Sequence, residues 1–91
     1  VDFGDLGFHQ ENVDGYIIRT FPNTMDDTQL YWHLDAADRV LTVLEGKNWK
    51  IQLDNELPIT LVSDTNYFIK KETYHRLLKG TGNLILKIKE I

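Results

Sequence analysis

What most restricts the fold of this chain is a rhythm. Short runs rich in β-branched, aromatic and aliphatic residues recur about every ten residues, and each run ends in turn-forming residues. The runs are Tyr16–Phe21, Gln29–Asp35, Arg39–Glu45, Trp49–Asp54, Leu57–Val62, Tyr67–Lys70, Tyr74–Lys79 and Asn83–Ile91. Pro22–Asp27, Ala36–Asp38, Lys47-Asn48, Asn55-Glu56, Ser63–Asn66 and Gly80–Gly82 punctuate them. No stretch long enough for a globular helix carries the 3.6-residue apolar period, so roughly seven or eight strands are expected, in an all-β sandwich or barrel. A chain of 91 residues supports one core. Residues 1–14, with Gly4, Gly7 and several acidic residues between Phe3, Leu6 and Phe8, read as an N-terminal arm, and 15–91 as the domain.

Side chains alternate across a strand, which assigns faces. Tyr31, His33 and Asp35 share one face of their run, and Leu30, Trp32 and Leu34 share the other. Trp49, Ile51 and Leu53 point inward against polar neighbours. Arg39–Glu45 is apolar on both faces, so both faces are expected to be buried. Pro58 lacks an amide hydrogen and belongs near a strand start or on an edge. The apolar outer faces around Trp32, Leu34, Val40 and Leu44 call for a cover, either the arm or a second subunit, and a homodimer is expected.

Composition closes off several chemistries. The chain has no cysteine, which excludes disulfides, thiolate nucleophiles and sulfur-bound zinc. Any metal must therefore take imidazole and carboxylate ligands. Ten basic against fourteen acidic residues give a net charge of −4, which disfavours a phosphate backbone. Lys70-Lys71 and the pair Lys87 and Lys89 fall in strand-like runs and read as solvent-facing guards of sheet edges. No run approaches the ~20 apolar residues of a membrane span, and no basic-then-apolar leader opens the chain. A cytoplasmic protein without nucleic-acid or membrane partners is expected. Ser63, the only serine, lies in a turn without a His-Asp relay. Gly80-Thr81-Gly82 lacks the helix and Lys-Ser pair of a phosphate loop. Asp26-Asp27 reads as a solvated pair, and His9 as a surface histidine.

The stretch from Tyr31 to Gly46, taken with Asp64 to His75, resembles the cupin superfamily of small double-stranded β-helix (jelly-roll) barrels. Cupins carry a first motif of a His-x-His pair, a glutamate and a strand-closing glycine, and a second of glycine, a Pro-x-Gly step and a histidine. Val43-Leu44-Glu45-Gly46 looks like the end of the first motif. Counting back from Gly46 puts the family's glutamate on Arg39 and its two histidines on His33 and Asp35. The second motif falls on Asp64, Lys70, Glu72 and His75. The resemblance spans roughly residues 29 to 91. Asp35 exchanges a histidine for a carboxylate that still binds metal. Arg39 does not, because a guanidinium stays protonated and has no lone pair to offer.

The resemblance implies a jelly-roll barrel, a tendency to dimerise, and an inward-facing set of His33, Asp35 and His75. Two imidazoles and one carboxylate with open positions suit non-haem iron(II), and zinc, manganese or nickel accept similar ligands. The spacing also resembles the His-x-Asp…His pattern of 2-oxoglutarate-dependent oxygenases. Arg39 would then hold the carboxylate of an organic acid, and Tyr31 would hydrogen-bond the ligand. No organic cofactor is expected. Two other readings stand beside this one. In the first, a metal-free module binds a small anion through Arg39. In the second, Arg39 pairs with Asp35 or Asp38 and the cluster is structural. Imidazole nitrogens more than about 5 Å apart would exclude a shared metal, since such ligands sit ~2.0–2.1 Å from a zinc-like centre.

Overall fold

A computed structural model of the chain describes residues 7–26 and 30–91. Phe3 and Leu6 of the arm, Asp27 of the acidic pair and Gln29 lie outside the described residues. The strands are β1 (His9–Val13), β2 (Tyr16–Phe21), β3 (Arg39–Lys47), β4 (Lys50–Leu53), β5 (Ile59–Thr60), β6 (Asn66–Ile69), β7 (His75–Leu78) and β8 (Thr81–Glu90). They form a five-stranded sheet ordered β1-β2-β8-β3-β6 and a three-stranded sheet ordered β5-β4-β7. Every neighbouring pair is antiparallel. Among the described residues there is no helix long and apolar enough to cross a membrane, and no ladder closes the two sheets into a barrel. The two-sheet arrangement is consistent with a jelly roll.

Three differences from the sequence reading have physical causes. The expected arm contains a strand. Val13 pairs with Tyr16, and the two residues between them, Asp14 and Gly15, have φ of +47° and +87°. Asp-Gly with both φ positive is the favoured two-residue hairpin turn, whose twist matches the strands it joins. The run Gln29–Asp35 is not a laddered strand. Of its described residues only His33 makes a bridge, to His75. Finally, β3 is buried on one face rather than two. Leu41 and Val43 are buried, Val40 is half-buried and Leu44 is exposed, because no described layer covers the outer side of the five-stranded sheet.

The core lies between the sheets. Leu84, Leu86 and Ile88 from β8 and Leu41 and Val43 from β3 meet Trp49 and Ile51 from the β4 side. Trp49 is fully buried and its indole N–H donates to the Gly82 carbonyl at 3.1 Å, which satisfies the ring's one polar group. Gly46 sits where β3 crosses close to β8. A Cβ there would come within 2.6 Å of Cδ1 of the fully buried Leu84, whose side chain would have to shift.

Candidate metal centre and cavity

The site is assembled by backbone bonds on a segment with no ladder of its own. His33 N–H donates to the His75 carbonyl at 3.0 Å, and His75 N–H returns a bond to the His33 carbonyl at 2.9 Å. A directly opposed antiparallel pair points both side chains to one face. The two imidazole rings accordingly lie 4.3 Å apart between centroids, at 60°. Two residues on, the Asp35 carbonyl accepts from Glu72 N–H at 2.7 Å. Asp38 Oδ1 accepts from Lys71 N–H at 2.7 Å, and the Asp38 carbonyl from Ile91 N–H at 2.9 Å. These bonds pin residues 33–38 across the turn that precedes β7. Glu72 holds that turn with φ of +59°, and Asp64 holds an earlier one at +63°.

His33, Asp35 and His75 each offer one ligand atom, and these atoms all lie within 4.8 Å of one another. That is below the limit of about 5 Å set above, and a side-chain adjustment of about half an ångström would bring the widest pair to the ~4.2 Å that two ligands of one ion can span. The hydrogen bonds around them fix which atoms face inward. His75 Nδ1 lies 2.8 Å from the Thr73 carbonyl. A carbonyl only accepts, so Nδ1 carries the proton and Nε2 keeps its lone pair. His33 Nδ1 faces the Tyr31 carbonyl at 3.2 Å, which leaves its Nε2 in the same state. Histidine ligands of metals are commonly oriented by such outer carbonyls.

Asp35 completes the pattern. Its Oδ1 pairs with Arg39 at 3.2 Å, while Oδ2 lies 3.3 Å from His75 Nε2. Asp35 Oδ2 is nevertheless a buried oxygen with no hydrogen bond among the described residues. With Nδ1 carrying the ring's proton, His75 Nε2 and Asp35 Oδ2 turn lone pairs toward each other at short range. A divalent cation fits between two such donors. Ligands about 2.1 Å from a common ion at right angles stand about 3 Å apart, close to the observed spacing. A proton is a weaker candidate for the gap. Burial pushes His75 below its ordinary value of 6.5, helped by the nearby His33 and Arg39 and opposed by the Thr73 carbonyl and Asp35. The donor set fits a divalent ion, and the three residues form a cluster positioned to chelate one.

The cluster opens into a cavity of about 410 Å³ between the sheets, within the usual range for small-molecule sites of roughly 300–1,000 Å³. Leu41, Ile51, Ile69, Leu77, Leu86 and Ile88 form much of its wall, and Arg39, Arg19 and Tyr31 also line it. Tyr31 stands at the mouth, 67% exposed. Arg39 is tied down. Besides Asp35 it pairs with Glu90, whose Oε2 lies 3.0 Å from both Nε and Nη2. Of the two partners expected for Arg39, Asp35 is engaged. Asp38 turns instead to the backbone of Lys71, and Glu90, directly opposite Arg39 across the β3–β8 ladder, takes its place.

One residue of the cavity escaped the sequence reading. Arg19 lies opposite Leu86 in the β2–β8 ladder and points inward with it, between Ile17 and Phe21. The signal was present in the strand: Ile17, Arg19 and Phe21 share a face, and a charge on an inward face is rare unless it is used or paired. Burial lowers the Arg19 guanidinium from its ordinary value to about 10, with Arg39 adding to the effect and Asp35 and Glu90 opposing it. It remains a cation at neutral pH.

No known family profile matches the sequence, and no curated protein matches it. Solved structures do match the fold. A chain from the structures of the DMSP lyases RdDddP and RnDddQII aligns over 80% of this chain with a TM-score of 0.68 at 15% identity. Protein NMB1881 from Neisseria meningitidis aligns over 92% at 0.62 and 19%, and FeII HppE in complex with substrate over 92% at 0.66 and 17%. The chain spans 35% of the lyase chain and 52% of the HppE chain, against 81% of NMB1881. Fold and site together define an all-β, two-sheet domain with a facial-triad-like cluster of two histidines and one aspartate.

Proposed function

We propose that this is a small cupin-like metal protein, a non-haem metal-dependent enzyme acting on a small organic molecule. His33, Asp35 and His75 would be the metal ligands and iron the leading metal. The observation that carries the reading is the buried, unbonded Asp35 Oδ2 set 3.3 Å from the lone pair of His75 Nε2. The cupin assignment and a jelly-roll barrel over residues 15–91 draw support from the two-sheet order and from the turns at positions 64 and 72. Both fall on glycines of the second cupin motif, and both have positive φ here. In this reading β1 of the arm is an edge strand of that domain. The iron of HppE is a property of that protein, and the shared fold makes iron a sensible first choice here.

When bound, the metal would supply Lewis-acid or redox chemistry at its open coordination positions. The chain's own residues do the rest. The Thr73 and Tyr31 carbonyls hold the two imidazoles with their lone pairs inward. Arg39 fixes Asp35 through Oδ1 so that Oδ2 alone is presented. The aliphatic wall excludes water, and Arg39 and Tyr31 contact the bound molecule at the cavity mouth. The exposed Trp32 and Leu34 would be covered in a homodimer, which light scattering of the purified protein tests directly.

The Arg39 ion pairs favour one alternative, a metal-free module in which the cluster is salt-bridged and structural. Metal analysis separates the two. If the metal reading holds, the purified protein retains a stoichiometric divalent ion, His33→Ala loses it, and Arg39→Ala keeps it while binding ligand less well. A wild-type protein that holds no metal, and whose melting point a chelator leaves unchanged, would sink it.

A further inference from the structure

The two arginines that line the cavity differ in how their charge is met. Arg39 is neutralised by Asp35 and Glu90. Arg19 has no carboxylate within ion-pair distance among the described residues. Its Nε and Nη2 both donate to the side-chain oxygen of Gln10, at 2.9 and 2.6 Å, and its guanidinium carbon stacks 4.4 Å above the Phe8 ring. Gln10 is neutral and Phe8 is apolar, so both orient the group without cancelling its charge. Nη1 donates to no described residue. A half-buried cation with a fixed plane, donors that no described residue takes up and an apolar cavity beside it is a site suited to an anion.

We propose that Arg19 is the anion anchor of the cavity. It would hold the carboxylate of a small organic acid whose apolar body lies along Leu86, Ile88 and Leu41 and whose other end reaches the metal cluster. The metal-facing half of this statement rests on the reading above, and the Arg19 half does not. It also reassigns the main anion contact, because an arginine already shared by two carboxylates offers an incoming acid less than one that has none among the described residues. A guanidinium fork matches a carboxylate with two parallel bonds and discriminates against an uncharged amide of the same shape.

The test uses the full chain with hexanoate and its neutral counterpart hexanamide as probes, by calorimetry, with and without Zn(II). Hexanoate should bind the wild type about tenfold or more tighter than hexanamide, as a charged hydrogen bond implies. Arg19→Met should abolish that preference while leaving Zn(II) stoichiometry unchanged, Arg19→Lys should keep part of it, and Arg39→Met should weaken hexanoate less than Arg19→Met does. Should Arg19→Met not fold, the Arg19 Nε–Hε resonance of the wild-type protein decides, and it should shift on addition of hexanoate but not of hexanamide. Equal binding of the two probes, hexanoate affinity untouched by Arg19→Met, or an Arg19 resonance that stays put would overturn the assignment. Zn(II) bound normally with any of those results leaves the metal reading standing alone. Arg19-dependent hexanoate binding in a protein that holds no metal leaves the anchor standing alone.

Discussion

The five-stranded sheet and the segment 30–38 build opposite walls of one cavity by opposite means. In the sheet, β8 is laddered on both sides, to β2 and to β3, and its inward residues Leu84, Leu86 and Ile88 are buried. The segment carries two of the three candidate ligands on a single bridge and a few capping bonds. The contrast suggests a division of labour. The sheet supplies stability, while the segment supplies lone pairs that do not satisfy each other and stays less tightly held until an ion joins them.

The contrast breaks most visibly in the core. Trp49→Ala should cost about 3–5 kcal/mol in urea unfolding, because a fully buried ring is lost and with it the hydrogen bond it donates to the Gly82 carbonyl. Leu34→Ala, at a 41% exposed position of the segment, should stay within about 0.5 kcal/mol. Similar costs at the two sites would erase the distinction. Next comes the ion. At a concentration about a hundredfold above its dissociation constant, a divalent metal should stabilise the wild type by about 2.7 kcal/mol. Hydrogen exchange should slow at the amides of His33, Glu72 and His75 and change little along β8. Uniform protection would mean the segment was never the looser part.

Acidification sharpens the same point. A histidine held below 6.5 keeps its lone pair to lower pH, so metal affinity should be nearly flat through neutrality and fall as pH drops through the lowered His75 value. For the metal-free protein the sign is the same. The contribution is fully present above about 6.5 and is lost as pH falls, since the unfolded chain takes up the proton first. A titration in which affinity falls above pH 7 would contradict this. The smallest effect belongs to Glu72→Gly. Relief of a left-handed non-glycine residue, partly offset by the entropy of glycine, should raise stability by up to about 1 kcal/mol. A clear loss of stability would show that the Glu72 side chain has a role of its own.

How much of this could be read from the residues depended on what held each part. β2 was legible to the residue, and β3, β4, β6, β7 and β8 within a few positions, because turn residues bracket them and Trp49 and Ile51 alternate cleanly with polar neighbours. β1 was hidden among glycines and acidic residues, although Asp14-Gly15 was itself a hairpin signal. The faces came out as expected for 31–35, where Tyr31, His33 and Asp35 line the cavity and Trp32 and Leu34 are exposed, but not for Leu30, which lines the cavity and packs against the core instead of sharing the outer face. The segment's lack of a ladder was not legible, since it arises from contacts with residues 71–75 far along the chain. The Glu90 pairing of Arg39 and the inward aim of Arg19 were hidden for the same reason, because each is set by β8, the last strand.

The measurement that bears most directly on the metal centre is a Co(II) titration of the metal-free wild type, followed by visible absorption and repeated with Asp35→Asn. The wild type should reach saturation at one equivalent with ligand-field bands of nitrogen and carboxylate coordination. The variant should bind more weakly by more than the roughly 10–100-fold that loss of an outer-sphere group costs. A wild type that develops no such bands, or a variant that titrates just as it does, would contradict a metal centre at His33, Asp35 and His75.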